Sequence, residues 1–301
     1  MSGYADDISI NLEDRGKLWQ NDWFPDKGAL IEVAVVVQNG NGSTEEEKPL
    51  GLFEIDNITS SEPPSEVSIK AVSIPEKTEL RGIMRSRSWE KTRFSMIAND
   101  VATGTGMDLF YDTEDIDIER VEQTEQSDLS FLMGLCKNYG LALKITDNQI
   151  IIFDEEKYEQ AEPIAEITRG ETPVKSYKFE TTIREVYAAC RVVYQFPKTK
   201  EKLEYIFRIP NKNGNTLQVN AQVNSIAEAE KLAKKELRNR NKEETKGNFS
   251  IPGNIKYFAG ATLMFNGYGW FDGKYIIEKI SSSENNGYNM TLDVRRCLDG
   301  Y

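Results

Sequence analysis

The sequence predicts a β-rich α+β protein in which two similar small β-barrels are separated by an inserted α+β module. Both ends of the 301-residue chain are rich in β-branched and alternating segments, whereas the middle shows the apolar spacing of helices. A hairpin-like pattern near the start, GLFEIDNITSSEPPSEVSIKAV, also returns near the end as GWFDGKYIIEKISSSENNGYNMTLDVRRC. We therefore divide the chain into a first barrel at 1–78, the module at 79–169 and a second barrel at 170–301.

The first segment reads as strands and turns. The stretches ISINL, ALIEVAVVV, GLFEIDNI and VSIKAVSI are alternating or β-branched, which predicts strands. NGNGSTEEEKP predicts a long polar loop, and Pro63-Pro64 predicts a turn, where proline does not disturb a ladder.

The middle segment contains two predicted helices. In TRFSMIANDVATG, one apolar face is formed by Phe94, Ile97, Ala98 and Val101, and Gly104 is the expected end. In SDLSFLMGLCKNYG, Ser127 is the expected cap and Gly140 the expected end. The apolar stripe of that helix consists of Leu129, Leu132, Met133 and Cys136. MDLFY, LALKI and IIIF follow as strands.

The third segment returns to strands and holds one more helix. VKSYKFE, EVYAACRVVYQ and LEYIFRI precede the helix, and GATLMF, KYIIEKI and NMTLDVR follow it. The helix is predicted over 224–244, with Asn224 or Ser225 as its cap. Its narrow apolar stripe predicts a partly exposed helix lying on a sheet, and is made of Ile226, Ala229, Ala233 and Leu237.

Composition limits the chemistry that is available. The chain contains no histidine, which excludes Ser-His-Asp and Cys-His mechanisms and the usual zinc and iron ligand sets. Catalysis by two carboxylates stays open. The cysteines are Cys136, Cys190 and Cys297, and without a visible secretory signal or membrane span we expect free thiols formed in a reducing cytoplasm. We expect no catalytic residues, no cofactor and no metal.

The charge is unevenly distributed along the chain. The net charge is −12, with −9 in residues 1–78, −9 in 79–170 and +6 in 171–301. The acidic total argues against nucleic-acid binding, so neither a specific nucleic acid nor a membrane is expected as a partner.

The repeat has a consequence for symmetry. Ile55 and Ile58 correspond to Ile277 and Ile280, and Ser-Ser-Glu follows in both copies. The remaining matches are Val67, Ile69 and Ala71 with Met290, Leu292 and Val294, and Gly28-Ala29 with Gly260-Ala261. The simpler explanation of this similarity is that any two β-hairpins share an alternating pattern. The more specific explanation is that the chain contains two copies of one small β-barrel. Three chains with two barrels each can close a ring of six similar barrels, in which acidic and basic barrels alternate head to tail.

Four stretches, in this order, cover most of the chain: SINLEDRGKLWQNDWFPDKGALIEV, GLFEIDNI with PPSEVSIKAVSIP, RVEQTEQSDLSFLMGLCKNYGLALKITDNQIIIFDE, and FDGKYIIEKISSS with GYNMTLDVRR. Together they resemble the phage late control D and baseplate-hub proteins of contractile tails. The resemblance is greatest to hub proteins of Gram-positive defective prophages and phage-tail-like bacteriocins. Many relatives carry a histidine where this chain has Ser281-Ser282-Ser283, which leaves any role of that residue in doubt.

The resemblance implies a structural, non-enzymatic hub. Such a hub is a homotrimeric, pseudo-sixfold ring of paired tube-type β-barrels between the hexameric tail tube and the trimeric spike. The implied partners are further copies of the chain, the tail tube or tube-initiator protein, the spike protein and other baseplate proteins. The implied place of assembly is the host bacterial cytoplasm, and the product is a phage tail or tail-like particle.

Two groups of residues are candidates for docking partners. The basic stretch ELRGIMRSRSWEK holds Arg81, Arg85, Arg87 and Lys91, which suit an acidic partner surface or form a flexible basic connector. The aromatic candidates are Trp19, Trp23 and Trp270, for which carbohydrate binding competes with barrel closure or subunit packing.

Other readings stay open at this point. YDTEDIDIE (111–119) could bind calcium but lacks the EF-hand spacing, and a solvated strand edge is the alternative. A cell-wall-binding module and a carboxylate-based wall hydrolase remain the alternatives to the hub.

Overall fold

A computed structural model describes residues 6–26, 28–38, 45–73, 79–146, 149–195, 202–221, 223, 225–284 and 287–299. Internal contacts divide the chain into two compact units, one that ends at Asp154 and one that begins at Glu155. No helix within the described ranges is long and apolar enough to cross a membrane. The prediction of a β-rich fold with few helices is confirmed.

An antiparallel four-stranded sheet opens the first unit. Its strands are β1 (Asp7–Glu13), β2 (Leu30–Gln38), β3 (Glu45–Ser61) and β4 (Glu66–Val72), in the order β1-β4-β3-β2. Alternation buries one face of the two central strands, and that core consists of Phe53, Ile55, Val67, Ile69 and Ala71. The predicted turn at Pro63-Pro64 joins β3 to β4. Of the predicted loop NGNGSTEEEKP, the stretch 39–44 lies outside the described residues, and 45–49 is strand.

The rest of the first unit is an α+β arrangement around its own core. Its elements are α1 (Glu79–Gly82), β5 (Met84–Arg93), α2 (Phe94–Thr105), β6 (Asp108–Asp112), β7 (Asp117–Ser127), α3 (Asp128–Tyr139), β8 (Ala142–Thr146) and β9 (Gln149–Phe153). Strands β5 and β7 form an antiparallel ribbon, and the other three form a sheet in the order β6-β9-β8. Helices α2 and α3 pack on this sheet through their apolar faces.

The ends of these helices show which local signals decide a boundary. The predicted stripe of α2 is buried, but the helix continues through Gly104 and ends at Gly106, whose φ of 70° suits glycine. In α3, Ser127 caps the N-terminus by accepting a hydrogen bond from the Ser130 backbone N–H, and Gly140 ends the helix, as predicted. Met133 was assigned to the wrong face, since it is exposed and Leu135 is buried in its place.

The second unit contains two sheets. Its elements are α4 (Glu155–Gln160), β10 (Ala165–Thr168), β11 (Ser176–Thr181), β12 (Tyr187–Gln195), β13 (Lys202–Arg208), β14 (Asn215–Asn220), α5 (Ile226–Asn241), β15 (Thr245–Pro252), β16 (Thr262–Asn266), a 3-10 helix (Gly269–Phe271), β17 (Gly273–Ser283) and β18 (Asn289–Arg296). The larger sheet has the order β10-β16-β17-β18-β15-β11, and the smaller one the order β13-β12-β14.

Two details of the predicted domains differ from this arrangement. The sequence predicts that the inserted module extends to residue 169, but residues 155–169 belong to the second unit, in which β10 pairs in parallel with β16. The predicted second barrel also contains a separate layer, in which α5 packs on β12 and β13. Ser225 is the cap of α5, and Asn224 lies outside the described residues. Of the predicted stripe, Ala229, Ala233 and Leu237 are buried, whereas Ile226 is 62% exposed because it lies in the first turn.

Candidate functional site: a duplicated sheet and its edges

The same four-stranded sheet occurs twice in the chain. Strands β1 to β4 are arranged as β1-β4-β3-β2, and strands β15 to β18 as β15-β18-β17-β16, with antiparallel pairing throughout. In each copy the strands therefore lie in the same spatial order, namely first, fourth, third and second along the chain. Alternation alone does not impose this agreement, because four strands can be connected in many ways.

The two hairpins also match in register. Ile55 lies opposite Ala71 in the first copy, and Ile277 lies opposite Val294 in the second. Directly after this pair, each hairpin contains a register shift that leaves one acidic residue, Asp56 or Glu278, without a partner across the ladder. A β-bulge is a local irregularity that a strand pair does not need. Its recurrence at the corresponding position supports duplication over chance similarity.

The Gly-Ala signature has the same geometry in the two copies. The backbone N–H of Ile55 donates to the carbonyl of Ala29 at 3.0 Å, and that of Ile277 donates to Ala261 at 2.8 Å. In return, the glycine before each alanine donates to the same isoleucine, at 3.1 Å in the first copy and 2.8 Å in the second. Both glycines have positive φ, which explains why glycine stands there.

The copies differ at their edges. In the second copy, β10 adds in parallel to β16 and β11 adds antiparallel to β15. In the first copy, β1 and β2 are the terminal strands, and no described strand pairs with their outer edges. A sheet edge of this kind exposes backbone N–H and C=O groups that can pair with another chain.

The first copy also extends further than the second. Beyond Gly51, β2 and β3 continue as a two-stranded arm, whereas the second copy has only the short 3-10 helix at that place. Val36, Leu50 and Leu52 are exposed along this part of the hairpin. Exposed aliphatic side chains on a protruding hairpin are typical of interaction surfaces.

The basic candidates are divided by the structure. Arg85 and Arg87 lie on β5 and pair with Asp128, which is completely buried at the start of α3. Gln123 donates a further hydrogen bond to the Asp128 carboxylate at 2.8 Å. These arginines therefore stabilise the inserted module itself. Lys91 is exposed on the same strand, and the side chain of Arg81 lies outside the described residues.

The aromatic candidates are distributed over the two units. Trp19 packs against the core of the first sheet and contacts Trp23 edge to face, with ring centroids 5.6 Å apart, while Trp23 is 57% exposed. Trp270 is 63% exposed after β16, and the Arg296 guanidinium lies 4.8 Å from its ring centroid. Arg296 also donates to the carbonyls of Trp270 and Asp272, which fixes the turn. The sequence offered no signal for this contact, because the two residues are distant along the chain.

The acidic stretch 111–119 has a local structural role at Asp115. Its carboxylate accepts hydrogen bonds from the Ser95 backbone N–H at 3.0 Å and from the Ser95 hydroxyl at 2.6 Å. These bonds and the charge of Arg93 outweigh the effect of burial and lower the pKa of Asp115. Across the described ranges, no group of three or more Cys, Asp or Glu side chains is placed to hold a metal ion.

Sequence reasoning missed a buried charge network in the second unit. The side chain of Arg295 on β18 is 2% exposed and contacts Glu155 at 3.0 Å, Glu159 at 2.7 Å and Glu278 at 3.2 Å. Burial tends to raise the pKa of Glu155, but Arg295 and Lys242 hold it below its usual value. The pKa of Glu278 is raised, because burial outweighs the same arginine. The network fixes α4 to the larger sheet.

Comparison with known proteins gives structural matches only. No protein-family model and no curated protein matches the sequence. The 43 kDa tail protein of prophage MuSo2 from Shewanella oneidensis is 15% identical, with a TM-score of 0.71 over 98% of this chain and 90% of that chain. The tail protein from Neisseria meningitidis MC58 is 13% identical, with a TM-score of 0.72 over 98% of this chain and 89% of that one.

A match from a Gram-positive bacterium is more distant. Prophage tail protein gp18 from Listeria monocytogenes is 11% identical, with a TM-score of 0.57 over 88% of this chain and 84% of that chain. At these identities the likeness concerns the fold. The chain therefore has the fold of prophage tail proteins, and the resemblance expected from its sequence is confirmed at that level.

Proposed function

We propose that the chain is a structural component of a phage tail or tail-like particle, namely its baseplate hub. In this proposal three copies form a ring with threefold symmetry and nearly sixfold shape, which joins the hexameric tail tube to the trimeric spike. The ring assembles in the host cytoplasm and acts through its geometry, without catalysis. It serves as the start of the tube and binds the spike and other baseplate proteins.

The duplicated sheet is the observation that supports this proposal. One chain supplies two sheets of the same topology, the same bulge and the same Gly-Ala hydrogen bonds. Three chains supply six such sheets, so one face of the ring can match the six subunits of a hexameric partner. The same ring contains three chains, so its other face can match a trimeric partner. A monomeric enzyme has no need of this repetition.

The mass of the particle tests the proposal. Light scattering across a concentration series, with and without the neighbouring spike protein, is expected to show a trimer, and electron microscopy a ring with three copies. An interface that holds such a ring should bury about 2,000 Å² or more in total. A species that stays monomeric in the presence of the spike would refute the hub. Glycan pull-down and peptidoglycan turnover, measured on the same preparation, test the wall-binding and hydrolase alternatives.

A further inference from the structure

We propose that the outer edge of β1 in one copy of the chain pairs with the outer edge of β11 in a second copy. This inference rests on the proposed function, because it names the contact through which the ring would close. The partner is a second copy of this chain, and the contact joins its larger sheet to the N-terminal sheet. Three features support this contact: the uncovered edge of β1, the apolar face beside the outer edge of β11, and the opposite charges along the two edges.

The β1 edge is less well covered than the corresponding strand of the second copy, β15. Ile10 and Leu12 of β1 correspond in register to Phe249 and Ile251 of β15. In β15, which is covered by β11, these inward-facing residues are almost completely buried. In β1 they are only half-buried. The same position in the same sheet therefore becomes a closed core when one more strand is added.

The β11 strand has the apolar face that is needed to cover β1. β11 pairs with β15 through one edge, and its other edge is the end of the six-stranded sheet. Tyr177 and Phe179 lie on its inner side and pack against Phe249. Tyr177 nevertheless stays 43% exposed, because nothing in the described part of the chain covers it from beyond β11. A strand with half-buried aliphatic side chains, such as β1, would extend this apolar face without interruption.

Charge selects this pair of edges over the alternative. Residues 6–15 around β1 carry four acidic side chains and one basic one, Arg15, which pairs with Glu13, whereas 175–184 around β11 carry three basic side chains and one acidic. Lys178 is bound to that acidic residue, Glu180, at 3.0 Å, which leaves Lys175 and Arg184 in excess. The other edges repel each other, because β2 carries Glu32 and residues 162–171 around β10 have a net charge of −2. Like charges across an interface disfavour it, so β1 with β11 is the favoured combination.

A cross-linking experiment tests the contact directly. One preparation carries Ser9→Cys on β1 and a second carries Ser176→Cys on β11, and both positions are exposed. A short bismaleimide is expected to join the chains only when the two preparations are mixed, since neither edge pairs with itself. Cys136 and Cys190 are buried and give little background, and the half-buried Cys297 is replaced by serine in every preparation. Ser9→Cys mixed with Lys137→Cys, an exposed position on α3 in the first unit, is the matched control.

Charge reversal provides the second measurement. Asp7→Lys with Glu13→Lys, or Lys175→Glu with Lys178→Glu, should weaken association at least about tenfold. The combined four-residue variant should recover it. Lys137→Glu with Lys256→Glu changes the charge equally at exposed positions elsewhere and should have no effect.

The outcomes separate this inference from the hub proposal. A trimer without β1–β11 cross-links would refute the edge contact and keep the ring. Cross-links in open chains of copies, without a closed trimer, would keep the contact and refute the ring. Monomers without cross-links would refute the two together, and a trimer with cross-links that respond to charge reversal would support the two together.

Discussion

Replacement of Arg295 by methionine is the sharpest test of how the second unit is held together. Methionine keeps much of the volume and removes the guanidinium, which leaves the carboxylates of Glu155, Glu159 and Glu278 without their shared partner. Removal of one member of a buried ion pair typically costs about 3–5 kcal/mol. Glu159 keeps Arg238 at 3.0 Å, so we expect a loss in the free energy of unfolding near the lower end, about 3 kcal/mol.

The pH dependence of this loss follows from the directions of the pKa shifts. The lowered pKa of Glu155 means that its ionised form adds stability above its unfolded pKa, and this is lost as the pH falls. The raised pKa of Glu278 has the opposite sign, because its ionisation already costs stability as the pH rises. Without Arg295 the two carboxyls become easier to protonate. The difference between wild type and variant should therefore be largest at neutral pH and shrink towards about pH 4.

Urea denaturation with hydrogen exchange of the β17 and β18 amides is the assay, because it reports on the second unit separately. Arg240→Met is the matched control: Arg240 is exposed and pairs with Glu185 at 3.4 Å, so its removal should change little. A loss below about 1 kcal/mol at neutral pH, or an equal loss at pH 7 and pH 4, would refute the role assigned to the network.

Three further predictions concern single positions. Asp128→Ala removes the buried counter-charge of Arg85 and Arg87 and should cost about 3 kcal/mol of unfolding free energy, and Asp128→Asn, which also removes the charge, should cost nearly as much; a far smaller loss for Asp128→Asn in urea denaturation would contradict the charge argument. Gly273→Ala should cost about 1–3 kcal/mol through backbone strain at φ 135°, whereas Gly134→Ala in α3 should stabilise the protein slightly, and a thermal melt compares them. Burial raises the pKa of Cys136 to about 12, so its reaction with a thiol reagent at pH 8 should be far slower in the folded protein than in urea, and fast labelling would show that the core opens.

The duplicated hairpin could be predicted because its signals are local. The isoleucine spacing, the Ser-Ser-Glu turn and the Gly-Ala pair all lie within one strand or one turn, and their register follows from alternation. The spacing of the isoleucines even indicates the bulge, because Ile55 and Ile58 are three residues apart and yet share the core side, which requires one extra residue between them.

Strands without an apolar pattern could not be predicted. β5 and β7 are rich in charged residues, β14 is mostly polar, and β15 contains Gly247, whose side-chain space is filled by Phe179 and Phe249. Such strands form because a partner strand is present, and sequence does not show which strand that is. The same reason explains why β10 was assigned to the wrong part of the chain: four residues carry too little pattern to identify a partner about a hundred residues away.

The candidate docking residues show a related limit. A run of arginines shows that a segment is basic, but it does not show which acidic residue pairs with it. Arg85 and Arg87 are directed to Asp128, the residue directly after the predicted cap of α3, and so are not available to a partner. The buried partners of Arg295 lie as far as 140 residues away in the sequence, and no periodicity marks them. Long-range ion pairs are the part of the structure that sequence patterns describe least.

The charge network is linked to the difference between the edge of β2 and the edge of β16. In register, Arg295 of the second copy corresponds to Val72 of the first, since each lies one position after the pair that precedes the bulge. Arg295 binds the two glutamates of α4, and the chain then leaves α4 and enters β10 at once, with Ile164 donating its backbone N–H to Thr262 at 2.9 Å. Valine cannot bind such a helix. The first copy therefore lacks the contact that precedes a strand on this edge, and no described strand pairs with the outer edge of β2.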